Sequence, residues 1–349
     1  MPLFTVGVPT YNRAGMLAQT LDCILQQTFR DFEVVVSDNA STDDTPQVVA
    51  RYVGRRFRYF RQETNVGSLL NFRFLGDVAA GEWLVIHQDD DLLSPLFLER
   101  CAHAIGRCPE LVMYGTEVAY KRNGDEKRLY DTTIHGFPIL HGWDQPQPRL
   151  IPGDRIAALT LFETGLIPPA QAIRTDLYRL HYPRDSAMTA FADRYLNGRV
   201  ALEGVVAYEG MIGAIVRNHV GRYTSQTSYD PLEAARKNTV LLLEHFAARG
   251  LDWRTAFRAI LPEVWPGARR HWLHLHACDP TIPPEALEML AEDFAREEGV
   301  SPRAYVDRLR AACLRPVRGR LDRLPLPQPV INRIRALRRR LQDALAHRH

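Results

Sequence analysis

Through its first 120 residues the chain alternates short β-rich runs with stretches of helical period, and this alternation restricts the fold more than any other feature. The β-rich runs are Phe4 to Val8, Phe32 to Ser37, Arg58 to Arg61, Trp83 to Ile86 and Leu111 to Tyr120. Between them, Ala14 to Gln27, Thr45 to Tyr52, Ser68 to Val78 and Pro95 to Arg107 carry apolar residues three and four apart, which line one helical face. Strands separated by helices of this length form βαβ units. The expected fold class is therefore α/β, a mostly parallel sheet flanked by helices. Such sheets bind ligands beyond the carboxyl ends of their strands. That rule brings three loops side by side: "PTYNR" after the first strand, "SDNASTDD" after the second and "HQDDD" after the fourth.

The last of these loops poses an electrostatic problem. The apolar run Trp83 to Ile86 ends in three consecutive carboxylates, Asp89, Asp90 and Asp91, followed by Leu92-Leu93 and Pro95. Neighbouring carboxylates repel, and burying them is costly unless a cation or hydrogen-bond donors compensate. One solution is a divalent cation, since hard oxygen ligands suit magnesium and manganese. The other is an exposed turn that also caps a helix starting near Pro95. The neighbouring loops offer further chemistry. Pro9 stiffens the exit from the first strand, and Tyr11 supplies an aromatic face for base stacking or packs on the sheet edge. Asp38 is placed to accept from a pyrimidine N3–H, or else to close an Asx-turn before Thr42 and Asp43.

Elsewhere the pattern is weaker. Gly124 to Pro152 shows no clear period. "RIAALTLFETGLIPPAQAIR" and "AFADRYLNGRVALEG" read as helical or mixed, and "VVAYEGMIGAIVRNH" reads as a pair of strands. From Pro231 onward the chain reads as helices punctuated by prolines. The 349 residues contain no run approaching the ~20 apolar residues of a membrane-spanning helix, and "MPLFTVGVPTYN" lacks a signal-peptide pattern, so a cytoplasmic location is expected. Five cysteines without CxxC spacing suggest neither a disulfide framework nor a zinc site. The overall charge of +3 conceals a net +8 from Cys313 onward, where ten arginines face Asp322 and Asp343, against −5 before it. Basic charge confined to a tail argues against a nucleic-acid-binding core.

Taken together, "VGVPTYNRAGMLAQTLDCILQQTFRDFEVVVSDNASTDDT", "NVG" at 65 to 67, "GEWLVIHQDDDLLSP" and "ADRYLNGRVALEG" resemble the family 2 glycosyltransferases with the GT-A, Rossmann-like fold. The resemblance implies a catalytic domain over residues 1–230, followed by a helical C-terminal extension over 231–312 and a basic, Arg-rich amphipathic tail over 313–349. It implies an inverting transfer of a sugar from a metal-bound nucleotide-diphosphate sugar, UDP or dTDP preferred, to a hydroxyl of a glycan, lipid-linked or small-molecule acceptor. The implied donor site comprises Pro9, Thr10, Tyr11, Asn12, Asp38, Asn65, Gly67 and Asp89. Asp90 and Asp89 are the implied ligands of a divalent cation, Mn²⁺ or Mg²⁺, although Gln88 departs from the commoner Asp-x-Asp pattern. Asp91 is expected to cap the following helix. Asp193, at the head of an acidic-x-x-x-Leu-like segment, is the implied general base, with Asp185 and Glu203 in reserve. Arg217 and His219 correspond to a diphosphate or metal contact, or order a loop.

The tail segment 330–349 places Val330, Ile334, Leu337, Leu341 and Leu345 on one side with arginines around the rest. It suits docking on an anionic membrane surface, giving a peripheral location, or packing on protein. Two other readings share parts of the pattern. A nucleotidyltransferase needs a Gly-rich basic loop that "PTYNRAGM" does not supply, and a dinucleotide-dependent dehydrogenase needs a G-x-G-x-x-G that is absent after the first strand. A nucleotide-sugar-binding scaffold without turnover would lack the acidic motif or the base, and both are present.

Overall fold

The computed structural model describes residues 1–52, 54, 56–122, 147–162, 168–184, 192–218, 231–264, 266–279 and 282–314. The chain divides into two compact units, the first running to Ile260 and the second beginning at Leu261. The first unit thus extends beyond residue 230, where recognisable motifs end.

The first unit is built on a mixed sheet. Strands β1 (Phe4–Thr10), β2 (Phe32–Asp38), β3 (Phe57–Arg61) and β4 (Trp83–Ile86) pair in parallel in the order β3-β2-β1-β4. Helices α1 (Ala14–Leu25), α2 (Thr45–Ala50) and α3 (Ser68–Val78) connect them. Every residue of β1 is buried, as expected of a strand with both sheet faces covered. Leu17, Leu21 and Ile24 of α1 enter the same core as Val6, Val8, Val34 and Val36.

Past β4 the chain forms the two-residue strand β5 (Leu92–Leu93), helix α4 (Phe97–Arg107), β6 (Leu111–Arg122), β7 (Arg149–Pro152), α5 (Gly153–Leu159), β8 (Gln171–Arg174), α6 (Thr175–His181), α7 (Ala192–Ala201), β9 (Val205–Asn218), α8 (Pro231–Ala248) and α9 (Trp253–Ile260). Strand β8 runs antiparallel between β4 and β6, while β6 and β9 pair in parallel. The long segment expected as two strands is the single strand β9. Its pairing with β6 jumps from Thr116 opposite Glu209 to Glu117 opposite Ile212, so Gly210 and Met211 form a bulge that bends the strand without reversing it.

That bend lets the far half of β9 pair antiparallel with β5, Leu92 opposite Ile215 and Leu93 opposite Ala214. The pairing was not foreseen from the sequence, because two residues carry no periodicity. It anchors the chain just beyond the aspartate triplet. Gly213 makes the approach possible: a Cβ there would lie 1.9 Å from Thr116 Oγ1 and 2.9 Å from Phe97 Cδ2, while its carbonyl accepts the Ser94 N–H at 2.7 Å.

The second unit holds a short 3-10 turn (Leu261–Glu263) and helices α10 (Pro266–His276), α11 (Pro284–Glu297) and α12 (Pro302–Leu314). Each helix begins at a proline, whose missing N–H is harmless in a first turn. Leu287, Leu290 and Phe294 of α11 are buried, and Phe294 stacks on Tyr305 of α12 with ring centroids 6.3 Å apart. Residues 330–349 lie outside the described residues. Among those described, no helix is long and apolar enough to cross a membrane.

Overpacking at Gly213 has a measurable consequence. Gly213→Ala is expected to lower unfolding free energy by about 1–3 kcal/mol, seen as a lower urea midpoint at unchanged slope. A midpoint equal to that of the wild type would contradict the close approach of β9 to α4.

Candidate active site

The three aspartates follow the C-terminal end of β4 and all are buried, at 2% (Asp89), 4% (Asp90) and 2% (Asp91) relative exposure. An exposed acidic turn is thereby excluded. Asp89 accepts the Thr10 hydroxyl at 2.7 Å through Oδ2 and Arg13 Nη1 at 2.8 Å through Oδ1. The same Nη1 lies 3.0 Å from Asp90 Oδ2. Asp91 does not cap α4, whose N-cap is Leu96. Instead its Oδ1 accepts the Arg217 backbone N–H at 3.0 Å, tying the loop to β9.

Helix α1 supplies the opposite wall. The Thr20 hydroxyl lies 2.9 Å from the carbonyl oxygen of Asp89 and 2.8 Å from that of Asp91, and Gln27 Nε2 donates to Ser94 O at 2.6 Å. Arg217 completes the clamp: Nε donates to Asp90 O, and Nη2 lies 3.2 Å from Thr20 Oγ1 and 3.4 Å from Met16 O. Its guanidinium is thus bound to protein groups. Burial pushes the Asp89 carboxyl above its ordinary range, with Asp90 adding to the rise and Arg13 opposing it. For Arg13, burial works against the charge, but Asp89 and Asp90 outweigh it and its pKa rises.

A second group forms where the first two loops meet. The Asn12 N–H donates to Ser41 Oγ at 2.9 Å, and Asn12 Oδ1 accepts the Thr42 N–H at 2.7 Å. Asn12 and Ala40 take positive φ of 52° and 64°, a conformation that is strained for alanine and tolerated by asparagine. Asp38 is fully buried, accepting the Ser41 N–H at 2.8 Å and the Tyr59 hydroxyl at 2.6 Å. Desolvation and Asp38 together push the Tyr59 hydroxyl's pKa well up. Asn39 Nδ2 donates to Asn65 Oδ1 at 2.9 Å, and Gly67, at φ 83°, precedes α3. Tyr11, in contrast, is 44% exposed.

The remaining candidates come from later elements of the chain. Asp193 sits in the first turn of α7, its Oδ1 accepting the Arg194 N–H at 2.8 Å. Glu203 is held by His181 Nε2 at 2.6 Å and by Arg249. Asp185 and His219 lie outside the described residues. Three residues that organise the site, Arg13, Thr20 and Tyr59, were not singled out from the sequence. Thr20 had a signal, being a polar residue on the apolar face formed by Leu17, Leu21 and Ile24.

Residues 5–177 match the family model "Glycosyl transferase family 2". This part of the chain is a glycosyl transferase family 2 domain. Among its relatives is the validoxylamine A glucosyltransferase of Streptomyces hygroscopicus subsp. jinggangensis, 33% identical over 189 residues, covering 52% of this chain and 42% of the relative. Another is the GalNAc(5)-diNAcBac-PP-undecaprenol beta-1,3-glucosyltransferase of Campylobacter jejuni, 37% identical over 119 residues, 31% of this chain and 38% of that one. The chain thus spans less than half the length of these two relatives. In fold it is similar to residues 1–349 of S. aureus TarS, solved with UDP-GlcNAc, at TM-score 0.61 and 17% identity over 98% of this chain and 92% of that one. It is also similar to the mannosyltransferase PcManGT of Pyrobaculum calidifontis, solved with GDP-Man and Mn²⁺, at TM-score 0.50 and 20% identity over 97% and 86% of the two chains.

The residues of this family 2 domain fit a divalent cation. Two buried carboxylates already converge on one cationic nitrogen, and their oxygens are the hard donors that Mg²⁺ and Mn²⁺ select. A different cluster, His181, Glu203 and His245, also has metal-ligating side chains in reach of one another. There too arginines are at hand: Arg249 pairs with Glu203, and Arg199 Nη2 lies 3.4 Å from His245 Nδ1.

That cluster predicts an acid response of the first unit. Burial, then Arg199 and Arg249, hold the His245 pKa down to about 4, against about 6.5 in an unfolded chain. Between these values the unfolded chain binds the extra proton, so stability is full above the ordinary histidine value and drains as pH falls toward about 4. Urea unfolding of wild type and His245→Gln at pH 7.5 and 5 should show a smaller loss in the variant. Equal losses would remove His245 from the acid response.

Proposed function

We propose that the chain transfers a sugar from a metal-bound nucleotide-diphosphate sugar, UDP or dTDP preferred, to an acceptor hydroxyl with inversion. The observation that carries this reading is the convergence of the buried Asp89 and Asp90 carboxylates beyond the C-terminal end of β4, beside the loops that follow β1 and β2. A divalent cation, when bound by Asp90 and Asp89, supplies the charge that stabilises the departing diphosphate.

The chain's own residues do the rest. Tyr11 offers an open aromatic face on which a base stacks, while Asn12, Asp38, Asn65 and Gly67 hold the surrounding loops in shape. Because Asp38 is wholly enclosed, it acts by bracing this loop for the nucleotide. Thr10 orients Asp89 through its hydroxyl. Asp193 takes the proton from the acceptor hydroxyl as that oxygen attacks the anomeric carbon, and inversion follows from a single displacement. The acceptor is a glycan, a lipid-linked saccharide or a small hydroxyl compound; the two named relatives carry a small molecule and a lipid-linked saccharide in their names. Peripheral attachment through residues 330–349 to an anionic membrane accords with the second class and with the net +8 charge from Cys313 onward.

The test uses UDP-, dTDP- and GDP-sugars with Mn²⁺ or EDTA, reading thermal shift and nucleotide release. At least one donor should stabilise the wild type only with metal, and Asp90→Asn should lose that shift. Asp193→Asn should keep the shift while turnover falls roughly 10²–10⁴-fold. Donor stabilisation that ignores EDTA would overturn the metal assignment, and unchanged turnover in Asp193→Asn would remove it as base.

A further inference from the structure

Arg13 stands between the two carboxylates proposed above to hold a divalent cation. Its Nη1 is 2.8 Å from Asp89 Oδ1 and 3.0 Å from Asp90 Oδ2, so one guanidinium nitrogen occupies the point on which both carboxylates converge. Both carboxylates are buried, whereas the Arg13 side chain is 23% exposed and lies at the rim of the pocket. Mg²⁺ binds oxygen at about 2.0–2.1 Å. A cation seated between the two oxygens on the side that Nη1 occupies would be in contact with it, and two positive charges at that separation among buried groups repel strongly. Guanidinium and cation therefore exclude one another.

We propose that Arg13 is a resident counterion that holds Asp89 and Asp90 convergent without metal and is displaced from them when a divalent cation binds. The inference rests on the metal-site reading given above and deepens it. Displacement needs only the side chain to move: Arg13 is the N-cap of α1, its carbonyl accepting the Met16 and Leu17 N–H groups, while its side chain is 23% exposed. The Thr10 bond to Asp89 and the Thr20 contacts with the loop carbonyls do not involve Arg13, so the pocket keeps its shape when the guanidinium leaves. Arg217 remains as the second positive group, bound to Asp90 O rather than to a carboxylate that faces the cation. The exchange leaves a mobile guanidinium at the mouth of the pocket, where an anionic diphosphate would arrive.

The consequence is a competition that sets metal affinity. Mn²⁺ titrations of the full chain without donor, read by the electron paramagnetic resonance signal of free Mn²⁺, compare wild type, Arg13→Met, Arg13→Lys and Asp90→Asn. Arg13→Met should bind Mn²⁺ about tenfold or more tightly than wild type, with melting in EDTA lowered because two carboxylates lose their counterion. Arg13→Lys, which keeps the charge on a shorter reach, should fall between them and serves if the methionine variant does not fold. In the wild type, the Arg13 Nε–H resonance, assigned by its loss in Arg13→Lys, should shift on Mg²⁺ saturation. Equal or weaker Mn²⁺ binding in both Arg13 variants, with binding lost in Asp90→Asn, overturns the counterion role and leaves the metal site standing. Absence of Mn²⁺ binding in all four chains contradicts both.

Discussion

Three consecutive carboxylates are buried at the end of one strand, and much of the surrounding structure answers the electrostatic demand they make. Each would be costly in a dry environment without partners. Arg13 bridges Asp89 and Asp90, Thr10 donates to Asp89, and the Arg217 backbone donates to Asp91. The peptide groups are served as well, by Thr20 and by the Arg217 side chain. These partners come from β1, the loop after it and α1 at one end and from β9 much later in the chain. Holding them together requires the bend in β9, the two-residue strand β5 and a glycine at 213. The site and the second half of the sheet are thus one mechanical system.

The loops after β1 and β2 are organised differently, by hydrogen bonds from one loop to the other and by local strain. Asn12 and Ala40 both take positive φ, at about 1 kcal/mol or more for the alanine. They persist because Asn12, Ser41 and Thr42 bond one loop to the other, while Asp38 is locked between Ser41 and Tyr59. Among these loop residues, whose polar groups bond one another, Tyr11 stays partly exposed. Strain at this place is consistent with a preorganised binding loop.

The first half of the fold was legible because its strands and helices each carry the periodicity of their type over enough residues to be read. Strands β1 to β4 and helices α1 to α4 fall within a few residues of the expected ranges. The second half was less legible for physical reasons. A bulge in β9 looks like a turn in sequence, since Gly210 and Gly213 flag a break in both cases. Strand β5 is too short to show alternation. Within the site, the clustering of the three loops was foreseen, but the partners of the charges were not. Whether Arg217 points at a ligand or at Asp90 O depends on how β9 is bent, and whether Asp38 is open or enclosed depends on Tyr59 from the next strand. Asp91 was expected to cap a helix, and it braces a strand instead because β9 arrives beside it.

The central claim is that Asp89 and Asp90 form a divalent-cation site at the mouth of a nucleotide-binding pocket. The most direct measurement is anomalous diffraction at the manganese edge from crystals grown with Mn²⁺ and a nucleoside diphosphate. The account predicts one strong anomalous peak within bonding distance of an Asp90 carboxylate oxygen, with the diphosphate on its open side and Arg13 swung away. A nucleotide bound in the pocket with no peak beside Asp89 or Asp90, and with Arg13 still between them, would contradict it.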